Sequence, residues 1–419
     1  MALINASGYD PIIYPINGDV APAQIDRAQS IDPSTALNNE EVNEIGREDG
    51  LVGFVKGTPT IGYSMTQYEY GSMEFWRKIT NQGDAVTEIT LSDFRTPTFD
   101  IVALLTDDDD VILGSLVYPA LRTTGFSFTI GDPDSIIERS FDLVGEEAQL
   151  FQGNNKYWIQ ETHTAGSGAD NVVDLSTRAP EILPDNSSLS TDEEKYIYRV
   201  TRYNASTQST DTLVVTDDYT YSDATKELTV ASVATGDIIK VYYTSQTAPA
   251  VTWTPNDADP IATKADSVSI YLYIPGSGKP ESTDYLYRLQ SITMDVAFTR
   301  EDVKEIGNTK VVQRGVTDQT VTFTLGRLLD QLTIEEVLRG EGTGYSQIDF
   351  SKFTDSASII IQIFEDNTKQ TFKYGFLAEG LSPTDVNNAI AVESNTEMET
   401  VIEGKSLTIT DDNAVLGNL

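Results

Sequence analysis

Cysteine is absent from the 419 residues, histidine occurs once, tryptophan three times and methionine five times. Without cysteine there is no disulfide framework, no thiolate metal site and no thiol nucleophile. A single imidazole, His163, cannot assemble a zinc site, and no serine or carboxylate stands at a spacing that would recruit it as a catalytic base. No apolar run reaches the roughly 20 residues that a membrane-spanning helix needs. Met1-Ala2-Leu3-Ile4-Asn5 lacks the basic-then-apolar order of a secretory signal, so the expectation is a chain made in the cytoplasm with no membrane insertion.

Positive charge is also scarce. Lysine and arginine total 28 against 65 aspartates and glutamates, a formal net charge of −37. Binding to nucleic acid by phosphate neutralisation requires clustered cations, which this composition disfavours. Three readings of the acidity remain: a surface kept soluble by self-repulsion, one that lets DNA pass without holding it, or adaptation to high salt. What the chain does have is 39% hydrophobic residues and 20 tyrosines, enough to bury the cores of two or three domains.

The most informative pattern is an internal repeat. Arg27 to Gly46 aligns without a gap on Arg288 to Gly307, with ten of twenty positions identical, from Arg27-Ala28-Gln29-Ser30-Ile31 over Arg288-Leu289-Gln290-Ser291-Ile292 to Glu44-Ile45-Gly46 over Glu305-Ile306-Gly307. Thr60 to Met65 continues onto Thr320 to Leu325, and Ile89 to Phe94 onto Ile348 to Phe353. Asp100 to Leu105 is placed on Ile359 to Phe364, and Val117 to Leu121 on Lys373 to Leu377. Solenoid repeats recur every 20–50 residues, so a spacing this long marks a duplicated domain. The expected copies are 10–160 and 265–415, separated by 161–264.

That intervening stretch opens with Thr164-Ala165-Gly166-Ser167-Gly168-Ala169-Asp170, of linker composition, and Asp185-Asn186-Ser187-Ser188 follows. Strands are expected at Tyr196–Val200, Thr212–Val215, Glu227–Val230 and Ile238–Tyr243, giving a small inserted β-domain with its core at about 190–247. Within the duplicates, Gly53 to Tyr70 and Val311 to Leu325 read as long strands or hairpin arms. Ser72 to Ile79 reads as a short helix capped by Ser72, with Phe75 and Ile79 on one face; Thr333 to Leu338, ended by Gly340, is its counterpart. Asp107-Asp108-Asp109-Asp110 and Asp366-Asn367-Thr368 read as hairpin tips. A calcium loop would need alternating ligands and a closing glutamate that the first run lacks.

Few constellations suggest chemistry. Gly276-Ser277-Gly278-Lys279 lacks the upstream glycine of a phosphate loop and is followed by Pro280, so it reads as a turn. Carboxylates are so abundant that pairs suited to acid–base catalysis arise by accident. No enzyme, cofactor or metal is therefore expected. The notable feature is an acidic strip kept in both copies: Glu40, Glu41 and Glu44 in one, Glu301, Asp302 and Glu305 in the other. It reads either as a solvated loop between strands or as a loop lining a bore or a contact between rings.

The order of strand, acidic strip ending in Glu-Ile-Gly, long strand pair, short helix such as Glu74-Phe75-Trp76-Arg77-Lys78-Ile79, hairpin and closing strand resembles the tail tube proteins, or major tail proteins, of long-tailed phages and tailed archaeal viruses. The resemblance lies in pattern and covers both duplicates. It implies a mainly β chain: two tandem tube-type β-sandwich or barrel domains, each with a flanking helix, plus the inserted β-sandwich. It further implies trimeric, pseudo-hexameric rings stacked into a virion tail tube through which viral DNA passes during ejection, with a tape-measure protein and other tail proteins as partners. An outward-projecting insert would favour a non-contractile tail. A baseplate, tail-terminator or capsid-decoration subunit of the same fold is the alternative. A secreted adhesive β-protein is a more distant one.

Overall fold

Period-two alternation drives the local structure. In Thr60-Ile61-Gly62-Tyr63-Ser64-Met65-Thr66-Gln67-Tyr68 every second side chain from Ile61 is buried and the others face solvent. Glu138 to Gly145 does the same with Arg139, Phe141 and Leu143 inward. Such segments can bury one face only by pairing into a sheet that covers a core. The computed structural model describes residues 9–16, 20–25, 28–37, 40–43, 51–55, 59–106, 112–132, 134–145, 147–152, 157–166, 171–183, 187–207, 209–247, 262–274, 289–304, 311–328, 357–389 and 397–417.

The chain is mainly β. Its first part contains β1 (Tyr9–Pro15), β2 (Ala23–Gln24), β3 (Ala28–Ala36), β4 (Glu40–Asn43), β5 (Leu51–Val55), β6 (Thr60–Tyr68), helix α1 (Glu74–Ile79), β7 (Glu88–Thr90), β8 (Phe99–Thr106), β9 (Ile112–Ile130), β10 (Glu138–Gly145) and β11 (Gln149–Gln152). The middle holds β12 (Tyr157–Thr164), β13 (Val172–Asp174), β14 (Ile197–Asn204), β15 (Ser209–Thr212), β16 (Tyr219–Ser222), β17 (Glu227–Val230) and β18 (Ile238–Ser245). The last part contains β19 (Val268–Tyr273), β20 (Leu289–Lys304), β21 (Val311–Leu328), β22 (Ala357–Phe364), β23 (Phe372–Ala389), β24 (Glu397–Gly404) and β25 (Ser406–Thr410).

Sixteen strands join into one continuous ladder. Its spine is a long antiparallel sheet in the order β3-β6-β10-β9-β20-β21-β24-β23. Two outer sheets pack over it: β2-β1-β8-β9-β11, and β19-β22-β23-β25-β7. β9 and β23 each serve two layers. The leading part of β9 pairs with β8 and β11, and its trailing part with β10 and β20. β23 passes in the same way from β22 and β25 to β24.

The two halves share their irregularities as well as their strand order. A bulge at Gln29, where Ala28 and Ser30 face successive residues of β6, recurs at Gln290. A left-handed residue turns each crossing strand between layers, Ala120 at φ 53° and Gly380 at φ 68°. A second bulge follows at Thr124 and at Thr384, whose hydroxyls donate to the carbonyls of Asp142 (3.0 Å) and Val401 (3.4 Å). These markers place Asp100 on Ser358 and Val117 on Leu377, so the sequence alignment is one residue out in the first segment and four in the second. Bulges change register without a visible mark in composition.

One core runs beneath both halves. Trp76 of α1 is fully buried and meets Phe126 and Phe141 of the long sheet at 4.9 and 5.1 Å, and Phe376 of the second outer sheet at 6.0 Å. Helix α1 starts at Glu74, whose N–H donates to Ser72 Oγ at 3.1 Å. Its counterpart at Thr333–Leu338 lies outside the described residues, as do Ile348–Phe353, Asp107–Asp110 and Gly276–Lys279. Strands β8 and β9 on either side of the first acidic run pair up to Thr106 opposite Ile112. Gly53 to Tyr70 contains two separate strands, β5 and β6.

A buried polar cluster crosses from one half to the other. Glu69 accepts from Arg139 (3.2 Å), from the Tyr374 hydroxyl (2.5 Å) and from the N–H groups of Tyr70 and Gly71. Arg139 also donates to Gln67 and lies over Tyr70 and Phe75. Burial, and then the Glu69 carboxylate, push the Tyr374 hydroxyl well above its ordinary pKa, so it stays a donor.

The middle segment forms two sheets, β12-β18-β14-β15 and β13-β17-β16, around a core of its own that includes Ile159, Val200, Leu228 and Val241. β15 ends at Thr212, the first residue of the expected Thr212–Val215 strand: the Asp218 carboxylate takes the Val214 N–H and Thr216 turns the chain at φ 66°. The segment is anchored to the first outer sheet, on the face turned away from the long sheet. Trp158 and Tyr242 pack there with Ile12, Tyr14, Val102 and Val117. Buried Asp100 pairs with Arg199 at 2.5 Å, and that guanidinium lies 4.1 Å from the Tyr242 ring centroid. Lys240 donates to the carbonyls of Pro15 and Val20 at 3.0 and 3.2 Å.

Two stability changes are expected. Glu69→Ala leaves Arg139 unpaired in the core and should cost about 3–5 kcal/mol, whereas Tyr374→Phe removes one hydrogen bond to a charged acceptor, about 1.5–3 kcal/mol. Urea unfolding should rank them in that order, and a larger loss for Tyr374→Phe would contradict the reading. Ala120 is exposed in a left-handed conformation, so Ala120→Gly should raise the free energy of unfolding by up to about 1 kcal/mol, read as a later urea midpoint.

Candidate functional site

No group of three or more His, Asp or Glu side chains able to hold a metal occurs among the described residues, and no described helix is long and apolar enough to cross a membrane. His163 sits in β12 opposite Ile239, within the middle segment. The features with functional content are the join inside the long sheet, the two strands that bound it, and its solvated face.

The join is a backbone ladder between the halves. β9 and β20 pair antiparallel from Ile130 opposite Ile292 to Gly125 opposite Ala297. Beneath it Phe94 stacks on Phe298 at 5.6 Å, and Met294, Val296 and Phe128 are buried. Arg300, on the second half, donates to three carbonyls of the first, those of Phe94, Arg95 and Thr123, at 2.8–2.9 Å. The outer layer has its own join: β7 of the first half pairs with β25 of the second, Ile89 opposite Ile409, and Arg77 forms an ion pair with Asp411 beside it.

The ends of the long sheet repeat the two sides of that join with nothing laid against them among the described residues. β3 pairs only with β6, and the trailing part of β23 only with β24. Ile31, Pro33 and Thr35 occupy the positions of Ile292, Met294 and Val296. The latter three are buried, whereas Ile31 is half-buried and Pro33 and Thr35 are exposed. A bare edge carries unpaired N–H and C=O groups that invite another strand.

The solvated face carries hydroxyls and carboxylates. Across the join run Ser127, Asp295, Thr322 and Glu403, each opposite the next on a neighbouring strand, and on the other side Asp32, Ser64 and Asp142 line up likewise, Ser64 donating to Asp142 at 2.7 Å. Thr320, Thr322 and Thr324 alternate with buried Val321, Phe323 and Leu325. That alternation was the sequence signal for this face, and the acidic strips drew attention elsewhere. Asp295 is exposed, and partial loss of hydration beside these neighbours pushes its carboxyl up from the ordinary pKa.

The acidic strips are strands where loops were expected. Glu40 and Glu41 lie in β4 opposite Val55 and Phe54 of β5, and Glu301 and Asp302 extend β20 opposite Gly315 and Arg314 of β21. Val42 and Val303, β-branched and each facing a partner strand, favour the extended form. Glu301 is exposed, and Glu44 and Glu305 lie outside the described residues. Among the described residues the two strips are not brought together: Glu40 and Glu41 sit on a separate two-stranded ladder, and Glu301 and Asp302 at the far end of β20.

No known protein family matches the chain, and no curated protein matches it. Among solved structures, a chain of the anti-feeding prophage baseplate is similar at 11% identity with a TM-score of 0.27, over 36% of this chain and 98% of that one. A chain of the sheath–tube complex of an extracellular contractile injection system, in its extended state, is similar at 11% identity and the same score, over 38% of this chain and 99% of that one. Likenesses this slight carry no argument.

The raised carboxyl pKa of Asp295 has a pH consequence. The folded chain holds this proton at a higher pH than the unfolded chain, so stability falls as pH rises from the ordinary carboxylate value of about 4. Asp295→Asn should therefore melt slightly higher than wild type at pH 7, with the gap closing below about pH 4. Thermal melts across pH would show it, and a gap that widens in acid would contradict the assignment.

Proposed function

We propose that the chain is a structural subunit of a viral tail: three copies close a pseudo-hexameric ring, and rings stack into the tail tube that conducts the genome. The observation that carries this reading is the join between β9 and β20, together with the two matching open edges at the ends of the same sheet. Contacts of this head-to-tail kind either close into rings or run on as filaments. In this reading 10–160 and 265–415 are two copies of one tube-type domain, and residues 161–264 are an insert.

Closing the ring would wrap the solvated face into a bore lined by Asp32, Asp142, Asp295 and Glu403, and the acidic hairpins would stand at its rims or between rings. Repulsion of phosphate by such a lining reaches about 8 Å at physiological salt, enough to keep DNA from adhering to the wall. The middle segment packs on the far side of the outer sheet, so it would project outward, where a close-fitting contractile sheath would have to sit. That favours a non-contractile tail. The tape-measure and neighbouring tail proteins would be its partners, and no catalytic or cofactor role is assigned. A baseplate or tail-terminator subunit would use the same ring join without stacking, and would be a minor component of the virion.

The register of the internal join transfers to the ring contact. Phe126 faces Val296, and the corresponding residues are Val386 and Thr35. Because the chain has no cysteine, the pair Thr35→Cys and Val386→Cys is a clean probe. Oxidation of the purified assembly should give covalent species that stop at three chains, and electron microscopy should show rings or tubes. A product that remains monomeric, or a ladder running far past three, would overturn the trimeric ring.

A further inference from the structure

The outer layer contains an unoccupied half of a join. In the second half of the chain the edge of β25 is covered: β7 pairs with it, and Ile409 is 1% exposed on the core side. Its equivalent is β11, since Gln149 faces Val117 as Thr408 faces the matching Leu377. There, Leu150 stands where Ile409 stands in the other half. Yet Leu150 is 49% exposed, and no strand lies on the outer edge of β11 among the described residues. The neighbouring position repeats the contrast: Phe376, which meets Trp76 and Phe128, is 1% exposed, whereas its equivalent Leu116 is only half-buried.

We infer that the β11 edge, with Leu150 and Leu116 on its core side, is a docking surface for a second copy of this chain. It is a contact in the outer layer, separate from the one between β3 and β23 and assembled together with it. The occupant is argued from the molecule itself. The covered edge in the second half receives backbone pairing and an apolar face from the half beside it, and the uncovered edge repeats its geometry with apolar side chains still in place. An exposed strand edge bearing a large aliphatic residue is otherwise a liability. The inference rests on the ring reading and adds to it that closure seals two layers at once. Side-chain packing in the outer layer then supplies much of the specificity, and the long sheet supplies backbone pairing.

The test compares Leu150→Asp with Val214→Asp, the latter altering a residue 58% exposed on the middle segment. Both variants should melt like wild type as protomers. Sedimentation and electron microscopy should show that Leu150→Asp needs at least about tenfold more protein to assemble, while Val214→Asp does not differ from wild type. Hydrogen exchange of the wild-type chain guards against misfolding as an explanation: the amides of β11 that do not bond to β9 should exchange fast in dilute protomers and slowly in assemblies. If Leu150→Asp assembles as wild type, or if those outward-pointing amides are already protected in protomers, the docking surface is wrong. The engineered cysteine pair separates the two readings. If it cross-links while Leu150→Asp assembles normally, only this inference falls; if it fails to link, the ring reading falls first.

Discussion

Pairing between β9 and β20 is the constraint on which the architecture depends. With it the outer sheet of the second half lies over the helix of the first, and the aromatic core around Trp76 and Phe376 is formed there. The Glu69–Arg139–Tyr374 cluster locks the same arrangement with charge. The ion pair itself lies within the first half, and the Tyr374 hydroxyl is the group that ties it to the second. Backbone pairing sets the register, and a change of register would take that donor away from the buried carboxylate.

Much of this was legible in the sequence, and the reasons where it was not are physical. The twenty-residue match between Arg27–Gly46 and Arg288–Gly307 places β3 on the start of β20 in the right register because it spans a whole strand and its bulge without a gap. Further along, left-handed Ala120 and Gly380 and the bulges at Thr124 and Thr384 shift register, and simple matching slipped. The passage of β9 and β23 from one layer to another left no break in hydrophobic alternation, so nothing in the composition announced that one strand would serve two sheets.

The solvated face illustrates a related limit. Thr320, Thr322 and Thr324 are readable as an outward-facing row, but which outward face matters depends on the neighbouring strands, and β20 reaches β9 only through long-range pairing. Likewise Asp100 is a lone carboxylate in an otherwise apolar strand; only the fold brings it to Arg199 in the middle segment, nearly a hundred residues away. Burial pushes that carboxyl up, and the guanidinium and the Ala120 N–H pull it back, an arrangement that fixes how the middle segment sits. The acidic strips show the converse. Their charge suggested loops, but Val42 and Val303 and the strands opposite them hold both as extended arms.

Carrying both halves on one polypeptide alters the kinetics of any closed assembly. A join made within a chain forms at an effective concentration set by the connecting residues, whereas one made between chains must await diffusion and forfeit the freedom of a separate body. In a closed ring of such chains every second join would be completed during folding, before any two molecules meet, and fewer encounters would be required for closure.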